Sequence, residues 1–209
     1  MNTSLRSGAS FLVVLLLACC LAPSALAAKK IPKARLAKGV YTSPGGVYRV
    51  KVPPLLEPGS WNEERQMSPE TQGVYFGDDM GRAFFLLLTD NRKTKLTLDS
   101  IATGYQVGEG LREKTFVTTP RGTELRLTSI IKGGSPLVSR TKNEGKWMEE
   151  RLDMIQAGSL FLHGENIFQV VVATTMLKSS PRTEAEVMSD AKQRLDLALE
   201  GLELRPPAP

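Results

Sequence analysis

The stretch GSLFLHGENIFQVVVATT, residues 158–175, decides the fold of this chain. It contains two β-prone runs, Gly158–Leu162 and Ile167–Thr175, on either side of His163–Asn166. The residue types of that short middle segment suit a tight turn. The stretch therefore predicts a hairpin of two antiparallel strands.

Apolar runs upstream of this hairpin indicate further strands. Ala83–Thr89 is apolar without alternation, which favours a strand buried on both faces at the centre of a sheet. Thr123–Ile131 alternates as a half-buried strand does. The other predicted strands are Val47–Val52, Val74–Phe76, Thr115–Thr119 and Trp147–Ile155; Leu96–Ile101 fits a strand or a short helix, and Leu55–Gly73 is predicted to be irregular.

The C-terminal segment predicts one amphipathic helix. Its apolar residues recur at spacings of three and four: Met188, Ala191, Leu195, Ala198 and Leu202. Thr183 and Glu186 have the spacing of a capping box, with Ser180-Pro181 as a competing start. We therefore expect an α+β fold, in which a mostly antiparallel β-sheet carries a C-terminal amphipathic helix packed across it.

This order of elements resembles the PsbP-like families, which are widespread among exported bacterial proteins. The resemblance is carried by Tyr48–Pro53 as an opening strand, Phe161–Phe168 with the strand to Thr175, and Glu184–Leu202 as the helix across the sheet. It implies an α/β/α sandwich and a role as a binding or assembly factor. The middle of the chain departs from the pattern, because no helix is predicted between the first strands.

The N-terminus predicts export. A polar start with Arg6 precedes an apolar run, Phe11–Ala22, that is shorter than the roughly 20 residues a membrane span needs. Small residues before Ala28 suit signal-peptidase cleavage between Ala27 and Ala28, which predicts a periplasmic or secreted protein. A second interpretation is a lipoprotein, membrane-anchored by lipidation of Cys19 within Leu16–Cys19. No cysteine follows Cys20, so the exported part has no disulfide.

The chain divides into a signal peptide (1–27), a basic linker (28–40), a single α+β domain (41–205) and a Pro-rich tail (206–209). The linker is either solvated or, if Cys19 is lipidated, a basic leash against an anionic lipid surface. Trp61 is a core or rim residue, or a contact for a partner. The predicted partner or lipid contacts are Trp61, Lys29, Lys30, Lys33, Arg35 and Lys38.

The sequence offers little catalytic chemistry. His163 is the only histidine and lies in the predicted turn, so neither a Ser–His–Asp triad nor a metal site of nitrogen and sulfur ligands is expected. The glycines at 104, 108 and 110 lack the Lys-Ser/Thr of a phosphate loop. We expect no cofactor, no nucleotide and no nucleic acid, and we interpret Asp78-Asp79, Asp90-Asn91, Glu149-Glu150 and Asp153 as solvated acids and Arg92–Lys95 as a loop.

These observations favour a non-enzymatic protein of the cell envelope that binds another envelope protein or an anionic lipid surface, or serves as an assembly accessory. The alternative is a carboxylate-dependent hydrolase acting on a glycan. That activity would require two acids about 5–10 Å apart in a cleft, for instance Asp79 and Glu150.

Overall fold

The computed structural model describes residues 29–32, 35–52, 61–78, 81–108, 110–135, 137–143, 146–178 and 180–205, with only the backbone of 61, 141–143, 146 and 147. The predicted signal peptide with Cys19, Ala27 and Ala28 lies outside these residues. So do Lys33, Asp79 and the Pro-rich tail.

The described chain is mostly β-sheet, with two α-helices. The strands are β1 (Lys29–Lys30), β2 (Leu36–Ala37), β3 (Val40–Thr42), β4 (Tyr48–Lys51), β5 (Trp61–Gln66), β6 (Thr71–Gly77), β7 (Arg82–Asp90), β8 (Leu111–Thr119), β9 (Gly122–Ile131), β10 (Val138–Asn143), β11 (Lys146–Arg151), β12 (Met154–His163), β13 (Asn166–Thr175) and β14 (Leu202–Leu204). The helices are α1 (Leu98–Thr103) and α2 (Glu184–Glu200).

Eight strands form the main sheet in the spatial order β1-β5-β6-β7-β13-β12-β9-β8, and every neighbouring pair is antiparallel. The predicted hairpin is confirmed as β12 and β13, with His163 paired to Asn166 across Gly164-Glu165. Gly164 has a φ of 58°, the left-handed conformation that tight hairpin turns require. Strands β14-β4-β3-β2 form a second sheet, and β10 and β11 form a separate hairpin.

One face of the main sheet, called here the first face, packs against α2. The helix lies over β12 and β13 and buries Val187, Ala191, Leu195 and Leu199 against residues such as Phe168. The capping box of Thr183 and Glu186 is present and the helix ends at Gly201, so Thr183 and not Pro181 defines its start. The predicted amphipathic helix on an antiparallel sheet is therefore confirmed.

The opposite, second face is also buried. The short helix α1 packs Leu98 and Ile101 against Leu125 and Leu160, and a neighbouring cluster contains Tyr75 and other apolar residues: Ala83, Phe85, Leu87, Ile131, Met154, Val171 and Ala173. The non-alternating sequence of β7 follows from this burial, because alternate residues enter different clusters. The prediction of a central strand at Ala83–Thr89 is confirmed.

Three local predictions differ from the structure. The stretch predicted to be irregular contains β5, whose charged residues gave no strand pattern. The segment predicted as a linker contributes β1 and β2 and buries Ile31. The single strand predicted for Trp147–Ile155 is interrupted at residues 152–153, between β11 and β12. Among the described residues, no helix has the length and apolarity needed to cross a membrane.

Candidate functional site

The structure separates the basic residues that the sequence grouped together. Lys29 and Lys30 are exposed in β1, opposite Glu64 and Glu63 of β5. Lys38 has a φ of 51° in the turn between β2 and β3. Lys29 and Lys30 therefore lie at an edge of the main sheet and Lys38 lies in a turn, while their contact with a lipid or a partner stays a prediction.

Arg35 is half-buried and is paired with a carboxylate. Its guanidinium lies 2.6 Å from Glu64, which also accepts a hydrogen bond from the Tyr41 hydroxyl at 2.7 Å. Burial, first of all, raises the pKa of Tyr41 above its ordinary value, and the Glu64 carboxylate acts in the same direction. Arg35 therefore has a structural partner in Glu64, and its contact with a lipid or a partner stays a prediction.

The other sequence-predicted positions are distributed over the molecule. Trp61 begins β5 opposite Gly77, so it lies in a strand and not in an irregular loop. His163 closes the β12–β13 hairpin, and its Nε2 lies 2.8 Å from the Arg205 carbonyl oxygen. Gly104 ends α1 and Gly110 precedes β8, and both line a cavity of about 180 Å³ between the segment that follows α1 and the second face.

Most of the predicted acids have a basic partner. Glu150 pairs with Lys178 and Glu149 with Arg140 on exposed strands, and Asp90 pairs with Arg92. The Arg92 hydrogen bonds lower the pKa of Asp90 to about 2. Asp79, the predicted partner of Glu150 in a hydrolase, lies outside the described residues. Within the described ranges, no group of three or more histidine, cysteine or acidic side chains is placed to hold a metal ion.

Glu124 is the fully buried acid of the main sheet, although its alternating strand predicts a wet position. Its carboxylate accepts five hydrogen bonds: from the Ser159 and Thr119 hydroxyls, twice from Arg121, and from Arg126, at 2.8–3.0 Å. Burial opposes ionisation, but these donors and the Arg126 charge lower the pKa of Glu124 overall. A carboxylate saturated in this way is structural and unsuited to proton transfer.

Sequence reasoning missed the outer edge of β8. This strand is the last of the main sheet, and among the residues that the structure describes it pairs with β9 alone, which leaves its other side free. Phe116 and Val117 are 48% and 40% exposed and point to opposite faces. We call residues Thr115–Thr119 the β8 edge surface. The uncharged, β-branched run before Pro120 was its signal in the sequence.

The charged residues of β8 are all engaged at its other end. Lys114 donates to the Ala102 and Tyr105 carbonyl oxygens at the end of α1. Arg112 and Glu113 form ion pairs with Glu184 and Lys192 of α2, respectively. These contacts fix β8 to both helices and leave the β8 edge surface without a charged residue.

The opposite edge of the sheet has the features that prevent pairing with another chain. There β5 has Glu63, Glu64 and Arg65 in sequence, and β1 covers part of it. Charged residues and short covering strands are common protections of edge strands. The β8 edge surface has neither, so the two edges of the sheet differ in their readiness to accept a strand.

A groove runs along the first face beside the β8 edge surface. Because α2 packs over β12 and β13, a space of about 300 Å³ remains above β8 and β9. Thr115 and Val117 line one side of it, and Lys192 and Asp196 of α2 line the other. A strand added to β8 would place alternate side chains at the mouth of this groove.

The comparisons with known proteins leave the family open. No family model and no curated protein matches this chain. The chain is similar to a protein of Bacteroides thetaiotaomicron known from a crystal structure at 1.50 Å resolution, with 12% sequence identity and a TM-score of 0.37. The similarity covers 81% of this chain and 49% of that one, so the chain spans about half the length of the Bacteroides protein.

Proposed function

We propose that this chain is an exported, non-enzymatic envelope protein that binds or assembles with a partner by accepting a strand of the partner at the β8 edge surface. The observation that carries the proposal is the free, uncharged edge of β8, with Phe116 and Val117 exposed on its two faces.

Strand addition suits this edge because half of its backbone groups point outward. The loop Pro120-Arg121 joins β8 to β9, and Thr119 pairs with Gly122 across it. Counting from such a turn, hydrogen-bonded and non-hydrogen-bonded residue pairs alternate along the two strands. Phe116 and Thr118 are in non-hydrogen-bonded pairs, so their N–H and C=O groups point away from β9 to the free side. Backbone hydrogen bonds supply affinity in this mode, and side-chain contacts supply specificity.

The partner segment is expected to be extended and apolar on both faces. On the second face its side chains would contact Phe116, and on the first face Val117 and the groove beside α2. Burial of a large apolar side chain stabilises a complex by about 1.5–3 kcal/mol. The two faces together favour a strand with alternating anchors over a globular surface.

The proposal also includes export of the chain and a PsbP-like arrangement of its helices and sheet. The apolar N-terminal segment and the small residues before Ala28 support delivery to the periplasm or medium, and Leu16–Cys19 supports the alternative of a membrane-anchored lipoprotein. The PsbP-like resemblance is supported by the element order. Its α/β/α arrangement would correspond to α2 on the first face and α1 on the second.

The proposal is tested by placing a photo-reactive phenylalanine analogue at position 116 of the chain expressed in its native host. The matched control is position 197, because Leu197 is also 48% exposed but lies on α2, away from the edge. We expect a discrete cross-linked product from position 116 and none from position 197.

A second variant tests whether the product depends on the edge. Val117→Lys introduces an uncompensated charge next to position 116, so the cross-link should fall several-fold. A product of twice the chain mass would identify a second copy as the partner, whereas another mass would identify a different envelope protein. Equal cross-linking from positions 116 and 197 would contradict the proposal.

A further inference from the structure

A pocket lies at the end of the first face where α2 begins. It has a volume of about 230 Å³ and opens to solvent. We call it the arginine pocket; its main lining residues are Arg82, Arg182, Arg194, Thr174, Met176 and Val187. They come from β7, β13, the segment before α2 and α2 itself, so the fold brings together residues distant in sequence.

Carboxylates lie beside the three arginines of the arginine pocket. Arg82 is paired with Asp78, while Arg182 and Arg194 share Asp190 at 3.5 and 2.8 Å. Glu186, also on α2, is engaged at the helix start by Thr183. Three guanidinium groups and three carboxylates therefore meet at this end of α2. A ligand would be bound there by N–H and O–H donors that have no partner, and the helix N-terminus favours a ligand that carries negative charge.

Two buried donors in the arginine pocket have no hydrogen-bond partner. The Thr174 hydroxyl belongs to a residue that is 8% exposed, and the Arg194 Nε belongs to a side chain that is 12% exposed. A buried polar group without a partner is costly and in native proteins is usually satisfied. The pocket is many times larger than the roughly 10–15 Å³ that one water needs, so it has room for a larger molecule.

The walls indicate what kind of molecule fits. Met176, Leu177 and Val187 provide an apolar lining beside the polar groups. Arginine suits carboxylates because its N–H groups form a planar fork. We propose that the arginine pocket binds a single carboxylate attached to a small apolar body, with the carboxylate at Arg194 and Thr174. This inference goes beyond strand addition at β8 and does not depend on it.

The test is a calorimetric titration of the mature chain with hexanoate, and with hexanamide as a neutral ligand of similar shape. We expect saturable binding of hexanoate and none of hexanamide. Thr174→Val keeps the side-chain shape and removes only the hydroxyl, so it should weaken hexanoate binding about tenfold. It should not lower the thermal midpoint of the free protein, because that hydroxyl has no partner to lose.

Arg182→Gln should also weaken binding about tenfold. Arg49→Gln is the matched charge control, because Arg49 pairs with Glu203 on β14, a strand remote from the pocket. The Arg49→Gln variant should bind hexanoate as tightly as the wild type. Absence of saturable hexanoate binding to the wild type would overturn the inference. So would a Thr174→Val variant that binds hexanoate as tightly as the wild type.

A second titration distinguishes a free organic acid from an acid at a membrane surface. It uses phosphatidylcholine vesicles that contain oleic acid. If Thr174→Val weakens hexanoate binding and leaves vesicle binding unchanged, the pocket takes a free organic acid. If it weakens both, the pocket takes an acid at a membrane surface. Binding to vesicles alone, unaffected by Thr174→Val and Arg182→Gln, would overturn the assignment of the site.

Discussion

The Arg121 guanidinium donates a hydrogen bond to the Leu199 carbonyl oxygen over 2.9 Å and thereby joins the β8–β9 turn to the last turn of α2. The same guanidinium binds the Glu124 carboxylate and lies over the Phe161 ring, 5.7 Å from its centroid. One side chain therefore satisfies a helix-terminal carbonyl and a buried acid together.

Replacement of Glu124 tests this network. Glu124→Gln leaves Arg121 and Arg126 without their buried charge partner, so the free energy of unfolding should fall by about 3 kcal/mol. Urea unfolding followed by circular dichroism measures the change. Glu203→Gln, which removes an exposed carboxylate partner of Arg49, should change stability by less than about 0.5 kcal/mol. Equal effects of the two substitutions would show that the Glu124 network is not stabilising.

Glu124 should also make stability depend on acid pH. Its folded-state pKa is lowered, so its contribution is present above the unfolded pKa of about 4.3 and is lost as the pH falls through the folded value. The difference in unfolding free energy between wild type and Glu124→Gln should therefore be constant near neutral pH and shrink below about pH 4. A difference that stays constant to pH 2 would exclude this titration as its origin.

Two tyrosines should make the stability of the protein depend on alkaline pH. Burial raises the pKa of both Tyr41 and Tyr48. Their stabilising contribution is present below the unfolded pKa of about 10 and is lost as the pH rises above it. Absorbance at the tyrosinate band should show that neither residue ionises near pH 10 while the protein is folded. If Tyr41 does not ionise in the folded protein, Tyr41→Phe should leave the rise in tyrosinate absorbance of the folded protein near pH 10 unchanged. A smaller rise in the variant would contradict the prediction.

Two glycines on the second face should respond oppositely to alanine. Gly158 lines the cavity beside the segment that follows α1, and a Cβ there would meet Val171 at an ordinary 3.5 Å. Gly158→Ala should therefore raise the free energy of unfolding by about 0.5–1 kcal/mol. A Cβ at Gly73 would lie 2.5 Å from Leu87, so Gly73→Ala should destabilise by about 1–3 kcal/mol. Thermal unfolding of both variants measures the contrast.

The export prediction is checked by the intact mass of the protein from its native host. A mass that starts at Ala28 corresponds to simple cleavage after Ala27, and a mass that starts at an acylated Cys19 corresponds to a lipoprotein. Cys19→Ala should abolish membrane association only in the second case. An uncleaved chain would contradict both.

Local pattern predicted the parts of the fold that local physics decides. The turn at Gly164-Glu165 and the apolar run of β7 were predicted, and Thr183 was one of two predicted helix starts, because each depends on residues close in sequence. Alternation failed at Glu124, where both faces of β9 are buried and the outward position meets two arginines and α2. Whether the outward residues of a strand face water depends on which other elements pack over the sheet, and the sequence of the strand does not contain that information.

The candidate sites were less predictable for the same reason. The sequence indicated that Thr115–Thr119 is a strand, but only the sheet order shows that it is an edge. The arginine pocket combines residues 82, 174, 182 and 194, which no local motif connects. Conversely, the sequence showed the cluster of basic residues after Ala28, but strand pairing and the Arg35–Glu64 ion pair place these residues apart in the structure.

The difference between the two edges of the main sheet limits the size of any assembly built through it. A chain with two receptive edges can be extended at both ends and grow into a fibre, whereas a chain with one can join only a single neighbour. In the part of the chain that the structure describes, β5 is charged and partly covered by β1, so of the two edges of the main sheet only β8 is open. Association through β8 would therefore stop at a closed pair, related by a two-fold axis if both members are identical, and would not continue into a polymer.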